Sequence, residues 1–166
     1  MKKLLIILLT LATVSSSRAQ QSAGKYAGTY EFRFPGTQLT HYIILIQSGN
    51  DVKGRYLGCE AGNDTIYYRA PMKNLEVGND GKISFKLKSF RLSPTPLQPG
   101  KEDNNDDAQE TLRDKLQQSD KTTTPLFITG GYSFFGVIGK KTIQLQRTAD
   151  WYDSASDNMK FTRISK

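Results

Sequence analysis

One cysteine, one histidine and one tryptophan in 166 residues leave this chain short of the side chains on which most enzymes and metal sites are built. Cys59 has no second cysteine to pair with, so no disulfide framework holds the fold. It reads as a small half-buried hydrophobe, with a reactive thiol or an intermolecular disulfide as the alternatives. One Cys and one His fall short of an ordinary zinc site. No Gly-x-Ser-x-Gly elbow, His-Glu-x-x-His pair or phosphate-binding glycine loop occurs. No catalytic residue, metal site or cofactor is therefore assigned, and the chain is read as a non-enzyme. His41 reads as a hydrogen-bonded residue at a strand end rather than a general base. No apolar run approaches the ~20 residues of a membrane-spanning helix.

The longest apolar run lies at the start. Lys2 and Lys3 precede Leu4–Val14, and Ser17-Arg18-Ala19 puts small residues at −3 and −1 of a cut before Gln20. That is the layout of a secretory signal peptide over residues 1–19, and no cysteine follows it to carry a lipid. The expected location is secreted or periplasmic. Without Lys2, Lys3 and Arg18 the 23 basic residues become 20 against 16 acidic ones, a net charge near +4 rather than +7. Such a charge keeps a protein soluble and is not the dense basic field of a nucleic-acid binder, so no nucleic-acid partner is expected.

Residues 20–166 read as one domain built from alternating segments. In Tyr26–Phe34 the aromatics Tyr30, Phe32 and Phe34 share one side and Thr29, Glu31 and Arg33 the other, the period of a half-buried strand. Leu39–Gln47 is apolar on both sides through its middle, which predicts a central strand or one with a covered outer face. Its run Tyr42–Ile46 and the segment Val52–Tyr56 flank Ser48-Gly49-Asn50-Asp51, a hairpin arrangement. Gly-Asn-Asp recurs at 49–51, 62–64 and 78–80, marking three turns of a meander with short strands between them. Lys82–Leu92 alternates most cleanly: Ile83, Phe85 and Leu87 inward, and Lys82, Ser84, Lys86 and Lys88 toward solvent.

Ser93–Thr124 breaks the pattern. Its prolines and its acidic tract (Glu102, Asp103, Asp106, Asp107) give no strand signal. Asp107 with Glu110 forms a capping-box arrangement, and Ala108, Leu112 and Leu116 recur every four residues. This predicts a short helix inside a flexible insert, residues 93–124, whose carboxylates can lie over the Lys82–Arg91 face. After Pro125 strands are expected at Leu126–Thr129, Tyr132–Ile138, Thr142–Arg147 and Met159–Ile164. A polar loop, Asp150–Asn158, carries Trp151 and Tyr152 beside Asp150, Asp153 and Asp157. It reads either as a hairpin loop packed on the rim or as a sugar or calcium contact.

The fold class is therefore all-β: about eight to ten hairpin-linked strands in an antiparallel meander barrel, with one inserted helix. At Gly28-Thr29-Tyr30 the chain resembles the lipocalin (calycin) family, whose first strand opens with Gly-x-Trp. Here Tyr30 stands in the aromatic position. The resemblance implies a basic residue from a late strand packed over that aromatic, for which Arg147 and Arg163 are the candidates. It also implies a small apolar ligand held inside the barrel.

Two functions follow from different classes. The first is an exported barrel that binds an apolar or amphiphilic small molecule, lined by Tyr30, Phe32, Tyr56 and Phe85, with Gly54 and Gly58 leaving space beside them. The second is a secreted or periplasmic protein-interaction module, an inhibitor or envelope accessory factor, that works through its outer surface.

Overall fold

The computed structural model describes residues 24–60, 65–101, 130–150 and 156–166. Within them the chain forms ten strands: β1 (Gly28–Arg33), β2 (Thr40–Ser48), β3 (Asp51–Glu60), β4 (Ile66–Pro71), β5 (Lys73–Val77), β6 (Lys82–Leu87), β7 (Arg91–Ser93), β8 (Tyr132–Ile138), β9 (Thr142–Ala149) and β10 (Ser156–Ser165). All pair antiparallel in a single sheet of order β5-β6-β8-β9-β10-β1-β2-β3-β4-β7. There is no helix among the described residues, and none long and apolar enough to cross a membrane. The signal-peptide segment 1–19, the expected helix after Asp107, the expected strand Leu126–Thr129 and the 62–64 turn all lie outside the described residues.

Turn chemistry sets the register of the hairpins. Gly49-Asn50 closes β2 on β3 with Ser48 opposite Asp51, and Gly49 takes φ 60°, a left-handed value that favours glycine. The 78–81 turn is held by Gly81 N donating to Gly78 O at 3.0 Å and by Lys82 N donating to Asp80 Oδ1 at 3.1 Å. Alternation then decides the faces. Ile83, Phe85 and Leu87 are buried while Lys82, Lys86 and Lys88 are exposed, as the sequence pattern predicts.

The long strand expected over Lys82–Leu92 is interrupted at Lys88–Phe90, which divides it into β6 and β7. Its partner segment is divided at Met72, between β4 and β5. Val77 faces Ile83 and Glu76 faces Ser84 at one end of this pair. Arg69 faces Arg91 and Tyr67 faces Ser93 at the other. The register is the same at both ends, so residues 66–77 and 82–93 are two arms of one bent hairpin. The bend falls beside Asn74, whose φ of 51° is left-handed, a conformation asparagine tolerates better than most residues. Met72 N donates to Gly54 O at 2.9 Å and ties the bend to β3. In the sheet order, β5 and β7 nevertheless remain the two ends of an open series, without barrel closure.

One hydrophobic core joins the inward faces of the strands. Its centre is aromatic: Phe85 stacks on Phe134 with ring centres 4.6 Å apart, and Tyr56 lies 5.2 Å from Phe134 and 6.2 Å from Phe161. Each fully buried side chain of this size contributes roughly 1.5–3 kcal/mol relative to exposure. The space expected beside Gly54 and Gly58 is filled. A Cβ on Gly54 would lie 2.2 Å from Met72 Sδ, and one on Gly58 would lie 2.6 Å from Tyr68 Cζ. These glycines admit neighbouring side chains rather than a ligand.

Candidate functional site

The strands place two contrasting ends on this core. At the first end, the start of β1, Tyr30 is fully buried and its hydroxyl donates to Tyr26 O at 2.9 Å. The Arg163 guanidinium lies 5.0 Å from the centre of the Tyr30 ring and donates to the Tyr30 hydroxyl and, at 3.2 Å, to Lys25 O. Of the two arginines expected over this aromatic, Arg163 takes the position. Arg147 lies instead over the Tyr132 ring, 4.7 Å from its centre.

The second end gathers charges on inward-facing positions. Arg147 follows Ile143 and Leu145 on β9, Glu60 follows Tyr56 and Gly58 on β3, and Asp157 precedes Met159 and Phe161 on β10. Register sets Asp157 directly opposite Arg147. Arg147 Nη1 donates to Glu60 Oε1 at 2.7 Å, and its Nε donates to Asp157 Oδ2 at 2.9 Å. Tyr132 and Tyr68 hydroxyls also donate to Glu60 Oε1, at 3.0 and 3.3 Å. The Arg147 side chain is only 10% exposed, Glu60 25% and Asp157 43%, so the cluster opens toward solvent on the Asp157 side.

Burial governs the protonation of this end. It works against the Arg147 charge, but the Glu60 carboxylate and the Tyr56, Tyr68 and Tyr132 hydroxyls together more than offset the cost and hold the guanidinium protonated. Burial pushes the Tyr56, Tyr68 and Tyr132 hydroxyls above the ordinary tyrosine range, so all three keep their protons. His41, the second residue of β2, is fully buried. Burial, reinforced by the Arg147 charge and opposed by the Cys59 backbone, lowers it to about 3, which leaves it neutral. Its Nδ1 lies 2.6 Å from the Tyr56 hydroxyl, while Nε2 is buried without a hydrogen-bond partner.

The four residues expected to line a ligand pocket share one core but not one cavity. Tyr56 and Phe85 sit in the central aromatic stack, 6.5 Å apart, and Tyr30 belongs to the opposite end. Phe32 is half-buried, packed against Phe34 at 4.9 Å and Phe161 at 5.6 Å. Among the loop carboxylates, Asp157 serves Arg147, whereas Asp150 is exposed and accepts from Ser133 Oγ at 2.9 Å. Asp153, Trp151 and Tyr152 lie outside the described residues. Cys59 is buried, its Sγ directed at Thr40 O at 3.8 Å, and burial raises its thiol to about 11. No group of three or more His, Cys, Asp and Glu side chains suited to a metal ion occurs among the described residues.

Set against protein-family profiles, curated proteins and solved structures, the chain gives no match. The reading of the site therefore rests on its chemistry. Sequence inspection alone passed over Glu60, Tyr68 and Tyr132. The signal that finds Glu60 is parity: like Arg147 and Asp157, it is a charged residue at an inward position near a strand end, where alternation calls for an apolar one.

Proposed function

We propose that this chain is an exported β-barrel that binds a small amphiphilic molecule at the end where Glu60, Arg147 and Asp157 meet. Treating 66–77 and 82–93 as one hairpin supports barrel closure. That reading supports a ring of eight strands in succession. The Gly28-Thr29-Tyr30 opening and the stacking of Arg163 on Tyr30 support a lipocalin-like barrel, and the Lys2–Ala19 segment supports export.

One observation carries the binding reading: an ion cluster occupies inward positions that a self-filled barrel would give to apolar side chains. Desolvating these groups opposes folding, and hydrophobic replacements of buried ion pairs are often neutral or stabilising. Their retention is explained by a polar group that they receive. The molecule seats at this end, its apolar part against half-buried Phe32 and Phe34. The test is native mass spectrometry and thermal-shift measurement of the processed protein against a library of amphiphiles and metabolites. A saturable rise in Tm that is lost in Arg147→Met supports the reading. No adduct and no shift across the library overturns it.

A second reading, an interaction module acting through the outer surface, is favoured by Phe135 and Val137. They stand 46% and 50% exposed on the outer face of β8. Phe135→Ser with Val137→Thr should then abolish capture of a partner from the native extract, and unchanged capture removes this reading.

A further inference from the structure

We infer that the outer face of β3, β4 and β7 is a docking surface for an acidic peptide, and that its occupant is this chain's own segment 102–116. Side chains buried on the outer side of the sheet point to it. Tyr56 lies in the core, Gly58 faces Tyr68 and Glu60 bonds Arg147, so alternation along β3 turns Leu57 and Cys59 outward. Yet Leu57 and Cys59 are each 1% exposed, and both stand apart from the hydrophobic core. Arg69, directly opposite Leu57 on β4, is 8% exposed. A sheet face left to water does not bury a leucine and an arginine in this way. The shielding is present in a single copy of the chain, so the chain itself supplies it.

Charge identifies the covering segment. Register sets Arg69 directly opposite Arg91, and Arg55 lies on the same face of β3, opposite Pro71. Like charges facing each other across a strand pair are destabilising unless an anion joins them. None of these arginines is without a partner. The carboxylates of the described strands and turns pair instead with Arg33, Lys53, Lys82 and Arg147. Residues 102–116 carry Glu102, Asp103, Asp106, Asp107, Glu110 and Asp114 against Arg113 and Lys115, the densest acidic stretch of the chain. Position agrees with charge. Pro99 and Gly100 line a cleft with Ile44, Ile46, Lys53 and Arg55, so the chain reaches this side of the sheet just before Glu102. The same segment holds Ala108, Leu112 and Leu116 at four-residue spacing, an apolar stripe suited to cover Leu57 and Cys59.

Two measurements on the processed protein test the docking. A nitroxide attached at Asn104→Cys in a Cys59→Ala background should broaden the amide NMR signals of Leu57, Arg69 and Arg91 and spare those of Phe135 and Gln144. With Cys59 kept, Glu102→Gln, Asp103→Asn, Asp106→Asn and Asp107→Asn together should speed its alkylation by iodoacetamide at pH 8 by about tenfold or more, at an unchanged urea midpoint. Broadening that falls on β6 and β8 instead, or that leaves β3 and β4 untouched, overturns the inference. So does an alkylation rate that the four substitutions leave unchanged, or one raised only in proportion to a fall in global stability. Protection of Cys59 that grows with protein concentration would assign the face to a second copy and overturn it as well.

Discussion

Replacing Arg147 by methionine tests whether the Glu60–Arg147–Asp157 cluster is a buried ion network or a solvated rim. The substitution keeps much of the aliphatic volume and removes the guanidinium. Breaking one partner out of a buried pair costs ~3–5 kcal/mol, because the charge left behind has neither water nor a counter-ion. Two features of this site reduce that cost. Asp157 is 43% exposed and regains water, so its share falls toward the ~0–1 kcal/mol of a surface pair. Glu60 keeps the Tyr132 and Tyr68 hydroxyl donors. The expected loss is therefore ~2–3 kcal/mol, carried mainly by Glu60, which is 25% exposed. Urea unfolding followed by far-ultraviolet circular dichroism at pH 7 reads this as a lower midpoint at unchanged slope. A thermal scan reads it as a drop in Tm of roughly 4–12 °C for a domain of this size. The double variant Arg147→Met with Glu60→Leu, which removes the stranded charge, should recover a large part of the loss. A single-variant loss below ~0.5 kcal/mol, or a double variant no more stable than the single one, would refute the reasoning.

Three further outcomes are expected. His41, held at about 3 in the folded protein against 6.5 when unfolded, binds more protons in the unfolded state between these values. Its contribution is complete above pH 6.5 and is lost as pH falls toward 3, at up to ~1.4 kcal/mol per pH unit. Urea midpoints measured from pH 7 to 4 should therefore decline less steeply in His41→Gln than in the parent, and parallel curves would exclude a buried neutral histidine. Gly58→Ala puts a methyl 2.6 Å from Tyr68 Cζ and should cost ~1–3 kcal/mol. Gly139→Ala, with nothing nearer than 3.7 Å, should stay within ~0.5 kcal/mol in the same urea assay, and equal effects would contradict the packing described. Finally, Cys59, buried with its thiol raised to about 11, should react with iodoacetamide at pH 8 far more slowly folded than in urea. Equal rates would show an accessible thiol.

Local sequence by itself determined the strands and their faces. Period-two alternation is a backbone property, and in Lys82–Leu87 it assigns every side chain to a face with no knowledge of what that face meets. The turns at 49–51 and 78–81 fixed hairpin register for the same reason, the left-handed φ falling on a glycine in each, Gly49 in the first and Gly81 in the second. Only the tertiary structure decided which inward residues share a neighbourhood. Gly54 and Gly58 read as open space in one dimension, yet Met72, at the break between β4 and β5, and Tyr68, on β4 paired beside them, fill it. Arg147 and Arg163 are equivalent candidates over Tyr30 along the chain, because each lies at an inward position of a late strand. The sheet separates them, Arg163 to the Tyr30 end and Arg147 to Glu60, 87 residues away in sequence. Buried charge is tolerated only where its counter-charges converge, and that convergence belongs to the packed sheet rather than to any single strand.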